Sequence, residues 1–412
     1  MRRTLFAAAL GITACLPAPP ASAQEWTRFR GPNGTGISPA RGIPVSWTEQ
    51  DFRWRVPLPG KGHSQPVLWG DRLFLTSALD EGRERLLICL GAEDGRERWT
   101  ARVPLETHPK HKFNGFASGS PAVDKEVVCA AWATPTKYLV KAWSHEGKEL
   151  WSRDLGPFDS EHGHGSSPVL HEGRLVVPND QIQNGFLVAL DARTGEIAWK
   201  CPRRGCPKAS FGTPCVLETP GAPPQILTTS MAHGISGVDA RTGTLLWEAR
   251  VFDRRTVSSP VVAGDLAIGT CGEGGTGSLF AVRLGGKGDV TATHLVYRID
   301  KAAPYVPTPL AAGGRLYLMS DKGIASAVEA STGRVLWTGR AGGNFFGSYV
   351  LVENRLYILS WEGECVVLEA GDRFHILARN PLGEGSYCTP CVAGGRLYLR
   401  TFTHLICIGG AG

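Results

Sequence analysis

FLVALDARTGEIAW, residues 186–199, contains a strand, a tight turn, a second strand and an aromatic anchor. Leu187, Val188 and Ala189 read as a mostly buried strand. Asp191 to Gly195 reads as a turn in which Gly supplies the positive φ, and Ile197 to Trp199 as the returning strand. The phrase recurs as VDARTGTLLW ending at Trp247, VEASTGRVLW at Trp337, LGAEDGRERW at Trp99 and WSHEGKELW at Trp151. The chain is therefore a repeat.

A second marker sets the period. A small or polar residue stands before Pro66, Pro121, Pro168, Pro214, Pro260, Pro309 and Pro390, with Tyr349 replacing Pro in the seventh unit, at spacings of 40 to 55 residues. Such a period, with about four short strands per unit and a Trp near each end, is a propeller-blade signature. In the third unit the strands fall at 167–170, 174–179, 186–190 and 197–200. Eight first strands are present, but the last unit stops after its third. Residues 52–58, with Trp54 placed as Trp99 and Trp199 are in theirs, supply the missing fourth strand and leave no open edge. The expected fold is all-β: an eight-bladed β-propeller of four-stranded antiparallel blades, its ring closed by the N-terminal strand.

Equivalent repeat positions assign Trp54, Trp99, Trp151, Trp199, Trp247 and Trp337 to packing between blades. The fifth unit ends on Tyr297 and the seventh on Leu377, so those two seams are expected to be the irregular ones.

Residues 1–23 read as an export signal, with Arg2 and Arg3 before a short apolar run and Ala21-Ser22-Ala23 as a cleavage site, leaving 24–412 as a single propeller. A second reading makes Ile12-Thr13-Ala14-Cys15 a lipobox and Cys15 the site of a lipid anchor. The expected location is the periplasm or outside the cell, or the membrane surface through that anchor, with no transmembrane segment. The formal charge of +6 becomes +4 once Arg2 and Arg3 leave with a signal, and no basic run occurs, which argues against nucleic acid as a partner.

The repeat ALDARTGEIAW resembles the Trp-docking motif of pyrroloquinoline quinone (PQQ) propellers and of BamB-type outer-membrane assembly lipoproteins. The opening WTRFRGPNGTGIS at 26–38, with PLPGKGHSQPVLWGDRLFLTS at 57–77, is similar to exported PQQ-binding-like β-propeller repeat proteins. The resemblance implies a BamB-like scaffold with a protein partner in the cell envelope, or a quinoprotein with PQQ and calcium on the axis, a catalytic Asp and often a disulfide between adjacent cysteines. This chain has no Cys-Cys pair, is much shorter than those enzymes and offers no match to their calcium set, so PQQ is not expected. No nucleophile triad, phosphate loop or zinc-protease motif is visible either. The reading is a non-enzymatic binding or scaffold module, with a PQQ- or metal-dependent oxidoreductase using an axial site as the alternative.

Of the cysteines, Cys89 and Cys407 occupy the place of Ala189, and Cys215 and Cys391 that of Val169, which makes them small buried hydrophobes. Cys201 and Cys206 are the disulfide candidates. Loops between units, and between second and third strands, share one face of the disc and carry the unusual polar residues. His63, His108, Asn114, His162, His164, Asn179, Asp180 and His233 are the candidate ligand-binding set. His162, His164 and Asp180 are the candidate metal ligands, with a plug of mutually bonded loops as the alternative use of the same residues.

Overall fold

The computed structural model describes residues 25–409. The proposed signal, its cleavage site and Cys15 lie outside the described residues. Eight antiparallel sheets form the ring. In blade three, strand A is Val169–His171, B is Arg174–Asn179, C is Gly185–Asp191 and D is Ile197–Arg203. Middle strands are buried on both faces, which is why they read as continuous apolar runs: Leu175 and Val177 pack toward blade two, while Val176 packs toward blade four. Strand D borders solvent, and its burial alternates.

The core is a series of slabs between blades. One slab joins blades seven, eight and one around Trp26, Ile43, Trp47 and Trp54 of the N-terminal segment. The closing strand is Phe52–Pro57, antiparallel to His404–Gly409, with Trp54 opposite Cys407.

Every docking Trp but Trp247 reaches the turn of the next blade. Nε1 of Trp99 donates to His145 O at 2.8 Å, of Trp151 to Ala192 O at 2.9 Å, of Trp199 to Ala240 O at 3.0 Å and of Trp337 to Gly371 O at 2.9 Å. Each of the turns that begin at Asp191 and Asp239 ends in a glycine that lies flat against the ring. A Cβ on Gly195 would stand 2.6 Å from Trp151, and one on Gly243 would stand 2.6 Å from Trp199.

One of the two expectations about the seams needs correction. Tyr297 keeps the docking, its hydroxyl donating to Ala330 O at 2.7 Å over Gly333, because a phenol reaches as far as an indole N–H. The irregular seam follows blade four instead, where Trp247 bonds Gln225 Oε1 of its own blade at 2.9 Å and Gly288–Asp289 adds a parallel fifth strand. After Leu377 the seam is indeed different, since the N-terminal chain runs through it. Tyr357 donates to Ile43 O at 3.2 Å, and Asn380 Oδ1 accepts from Trp47 N at 2.9 Å.

The residue before each Pro marker builds a girdle around the axis. Backbone N–H groups donate to the hydroxyl of the next blade from Gln65 to Ser120, then to Ser167, Thr213, Ser259, Thr308, Ser348 and Thr389, in seven links of 2.9–3.3 Å. Proline removes the neighbouring donor and holds the preceding residue extended, so a short hydroxyl there satisfies the one N–H left on the channel wall.

The N-terminal segment crosses the axis inside this girdle. Trp26 bridges Leu68 of blade one, Thr27 O accepts from Val123 of blade two, and Asn33 pairs with Val216 of blade four. Ile37–Ser38 adds a parallel strand to the inner edge of blade seven. The plug of the channel is thus this segment, and not the inter-blade loops.

Candidate functional site

Above the plug, the face formed by D-to-A and B-to-C loops opens into a cup of about 740 Å³ with Phe29 at its floor. Its lining follows a rule. The residues two before each girdle position, His63, Ser118, Gly165, Phe211, Val257, Val306, Phe346 and Tyr387, all contribute. Where the chain enters strand A it is extended, so a residue two positions away shares the girdle residue's inward face.

One wall is aromatic. Phe113 and Trp361 lie with ring centroids 4.7 Å apart, Phe346 and Trp361 5.4 Å, and Phe346 and Tyr387 5.0 Å. His63 packs on Tyr387 at 4.9 Å, and burial, helped by Arg400 and Lys110, lowers its pKa to about 3. The facing wall is charged and self-paired. Arg255 bonds Glu161 and, at 3.3 Å, the Tyr305 hydroxyl, while Lys208 bonds Glu273 at 2.6 Å. Burial works to raise the Glu161 carboxyl, and the Arg255 guanidinium together with backbone N–H groups more than offsets it. Burial pushes Asp321 up to about 6 although it accepts the Tyr305 N–H at 2.8 Å. Between the walls, His111 and His162 meet edge to face at 4.6 Å, both pushed toward the neutral form by burial and then by neighbouring cations.

The structure divides the residues singled out from the sequence. His63, Asn114 and His162 line the cup. Asn114 also staples two loops, its Nδ2 donating to His162 O at 2.7 Å and His164 O at 3.1 Å. His108 packs outside the lining against Phe116 at 5.1 Å. His164 is on the same face as His162 but buried behind it, with Nε2 3.0 Å from the Tyr138 hydroxyl. Asn179 is fully buried in the seam toward blade two.

Asp180 and His233 do not reach the axis. Asp180 accepts from Arg203 at 2.8 Å, and His233 lies between Glu248 Oε2 at 2.6 Å and the Arg204 N–H at 2.9 Å, so both serve buried ion networks of blades three and four. The expected convergence of His162, His164 and Asp180 on a metal is therefore corrected. Among the described residues no group of three or more His, Cys, Asp or Glu side chains could hold a metal ion. The pairing of Cys201 with Cys206 is corrected too: both are free thiols, Cys201 buried in the slab between blades three and four, and Cys206 donating to Lys208 O at 3.0 Å. Cys388 lies just before the strand that begins at Cys391, and the two share one apolar slab.

The quinone and calcium pair does not fit this lining. None of the described cysteines borders the cup, and the acids there are engaged, Glu161 by Arg255, Glu273 by Lys208 and Asp321 by two backbone N–H groups.

The family profile described as outer membrane protein assembly factor BamB matches residues 51–199, 136–283 and 234–407, nearly the whole ring. The chain belongs to the BamB family. This BamB-family propeller is 24% identical over 242 residues to BamB of Moranella endobia, covering 56% of the chain and 59% of that protein. It is also 30% identical over 187 residues to a polyvinylalcohol dehydrogenase of a Pseudomonas species, covering 40% of the chain and only 28% of that enzyme. The chain thus spans less than two thirds of either relative. The crystal structure of BamB from Moraxella catarrhalis superposes with a TM-score of 0.62 at 14% identity, covering 87% of this chain and 97% of that one. A quinohemoprotein alcohol dehydrogenase from Pseudomonas putida gives 0.66 at 13%, covering 94% and 80%. At these identities the likeness is one of fold.

Proposed function

We propose that this BamB-family chain is an exported, non-enzymatic binding propeller of the cell envelope that helps assemble outer-membrane proteins by docking a partner at the cup. The observation that carries the reading is the composition of the cup. A partly exposed aromatic wall offers contact area, while the charged groups opposite are spent on each other and leave no nucleophile with a base beside it. Membership of the BamB family supports envelope assembly as the setting. The described residues include no helix long and apolar enough to cross a membrane. A signal cleaved near Ala23, or a lipid on Cys15, would deliver the chain.

A second reading, an oxidoreductase with a PQQ or metal site on the axis, rests on the dehydrogenase relative, although the lining of the cup does not fit the quinone and calcium pair. Affinity capture from envelope extracts, beside a PQQ-dependent dye-reduction assay on the purified chain, tests the two. Recovery of barrel-assembly proteins supports docking, and reproducible PQQ-dependent reduction replaces it with the oxidoreductase.

A further inference from the structure

One ring of the cup's aromatic wall is borrowed from a distant loop. Phe113 belongs to residues 105–121, between strand Glu97–Pro104 of blade one and Ala122–Val123 of blade two. Its centroid nevertheless lies 4.7 Å from that of Trp361, 5.3 Å from Phe346 and 6.2 Å from Tyr387. Trp361 follows strand Arg355–Leu359 of blade seven, while Phe346 and Tyr387 precede the first strands of blades seven and eight, Val350–Val352 and Cys391–Ala393. Phe113 thus passes blades one and eight to reach a surface built without it. None of the four rings belongs to the apolar slabs that join neighbouring blades, and all four stay partly exposed in the cup.

The loop is fastened on two sides and lightly held between them. On one side Leu105 N donates to Arg83 O at 2.9 Å and the Thr107 hydroxyl to Glu81 O at 2.6 Å. On the other, Asn114 Oδ1 accepts from Gly115 N and the Ser118 hydroxyl, while its Nδ2 holds the His162 and His164 carbonyls. Between them, residues 108–113 form a tip whose one backbone bond to another loop, among the described residues, is His111 N to His162 O at 3.3 Å. Ring contacts do the rest. Such contacts depend on shape more than on identity, so a competing ring of the same kind replaces them, and a segment with so few backbone bonds opens at low free energy.

We propose that Phe113 occupies, in the free chain, the place that an aromatic side chain of the partner takes in the complex, so that the tip 108–113 is a displaceable occupant of the docking site. The inference rests on the cup being that site. It names what the site selects, which is an aromatic residue on an extended segment, presented to Trp361, Phe346 and Tyr387 as Phe113 is. An internal competitor lowers the apparent affinity by the fraction of chains whose wall is uncovered, and removing the competitor restores that factor.

The probe is the tip itself, an acetylated and amidated peptide of residues 110–115, titrated by calorimetry into the full chain. Phe113→Ala should bind it at least about tenfold more tightly than the unaltered protein does. A peptide whose phenylalanine is replaced by alanine should bind neither, and adding Trp361→Ala to Phe113→Ala should abolish binding. Equal affinity for the two proteins, binding that survives loss of the peptide's ring, or no binding at all would overturn the proposal. In the unaltered protein, saturating peptide should speed hydrogen exchange at residues 108–113; if the variant does not fold, this measurement decides, and unchanged exchange overturns the proposal. Barrel-assembly proteins captured by the unaltered chain beside any of these failures would leave the docking reading standing and sink this inference alone.

Discussion

Gln65 carries Arg30. It stands where seven other blades place Ser or Thr, and its Oε1 accepts the Arg30 N–H at 2.5 Å while Nε2 donates to Pro390 O. The eighth link of the hydroxyl girdle is thereby exchanged for an anchor that holds the N-terminal segment across the axis. Gln65→Ala leaves a buried N–H and a carbonyl unpaired, so stability should fall by about 1–3 kcal/mol. Urea unfolding gives the magnitude, and proteolysis within 25–40 should speed up.

Gly243 lies under Trp199. Gly243→Ala meets both a left-handed φ of 75° and a ring 2.6 Å from the new Cβ, whereas Gly264→Ala meets a φ of 63° with open space around it. The second change should cost about 1 kcal/mol of backbone strain, and the first about 1–3 kcal/mol more, because the seam must open. Equal melting of the two variants would contradict the docking account.

His164 titrates only when its surroundings open. Burial against Tyr138 and Phe158 holds its folded pKa near 3, below the ordinary value for a free imidazole. The unfolded chain therefore binds a proton between roughly pH 6.5 and 3 that the folded chain refuses. The contribution of His164 to stability is complete above pH 6.5 and is lost as pH falls, at up to about 1.4 kcal/mol per pH unit. His164→Gln should flatten the urea midpoint between pH 6 and 4 by about that slope.

Ring closure rests on the strand Phe52–Pro57. Deleting residues 24–58 exposes the edge of His404–Gly409 and removes the axial segment, and the product should aggregate. A monomer with unchanged melting would refute the closure.

The ring itself was legible because blades repeat local signals: a Pro marker, a Gly turn and a Trp at fixed offsets. Departures needed coordinates. The docking at Tyr297 depends on phenol reach, and the altered bond of Trp247 depends on Gln225 and a short strand lent by the next blade. WTRFRGPNGTGIS carries no periodicity, so nothing local places it on the axis. Within the cup, polar type was a poor guide. His162 reaches the lining, but Asp180 and His233 are claimed by Arg203 and Glu248, pairings that sequence distance hides. The aromatic wall was missed although Phe346 and Tyr387 both stand two before a girdle residue, where strand alternation turns a side chain inward.

The central claim, that the cup docks an envelope partner, is tested most directly by quantitative capture with two chains of equal melting temperature. These are the unaltered protein and a Phe346→Ala, Trp361→Ala double variant, exposed to the same envelope extract. The account predicts that barrel-assembly proteins are recovered with the first and at least about tenfold less with the second, as loss of aromatic anchors at an interface centre would produce. Equal recovery by both, or none by either, would contradict it.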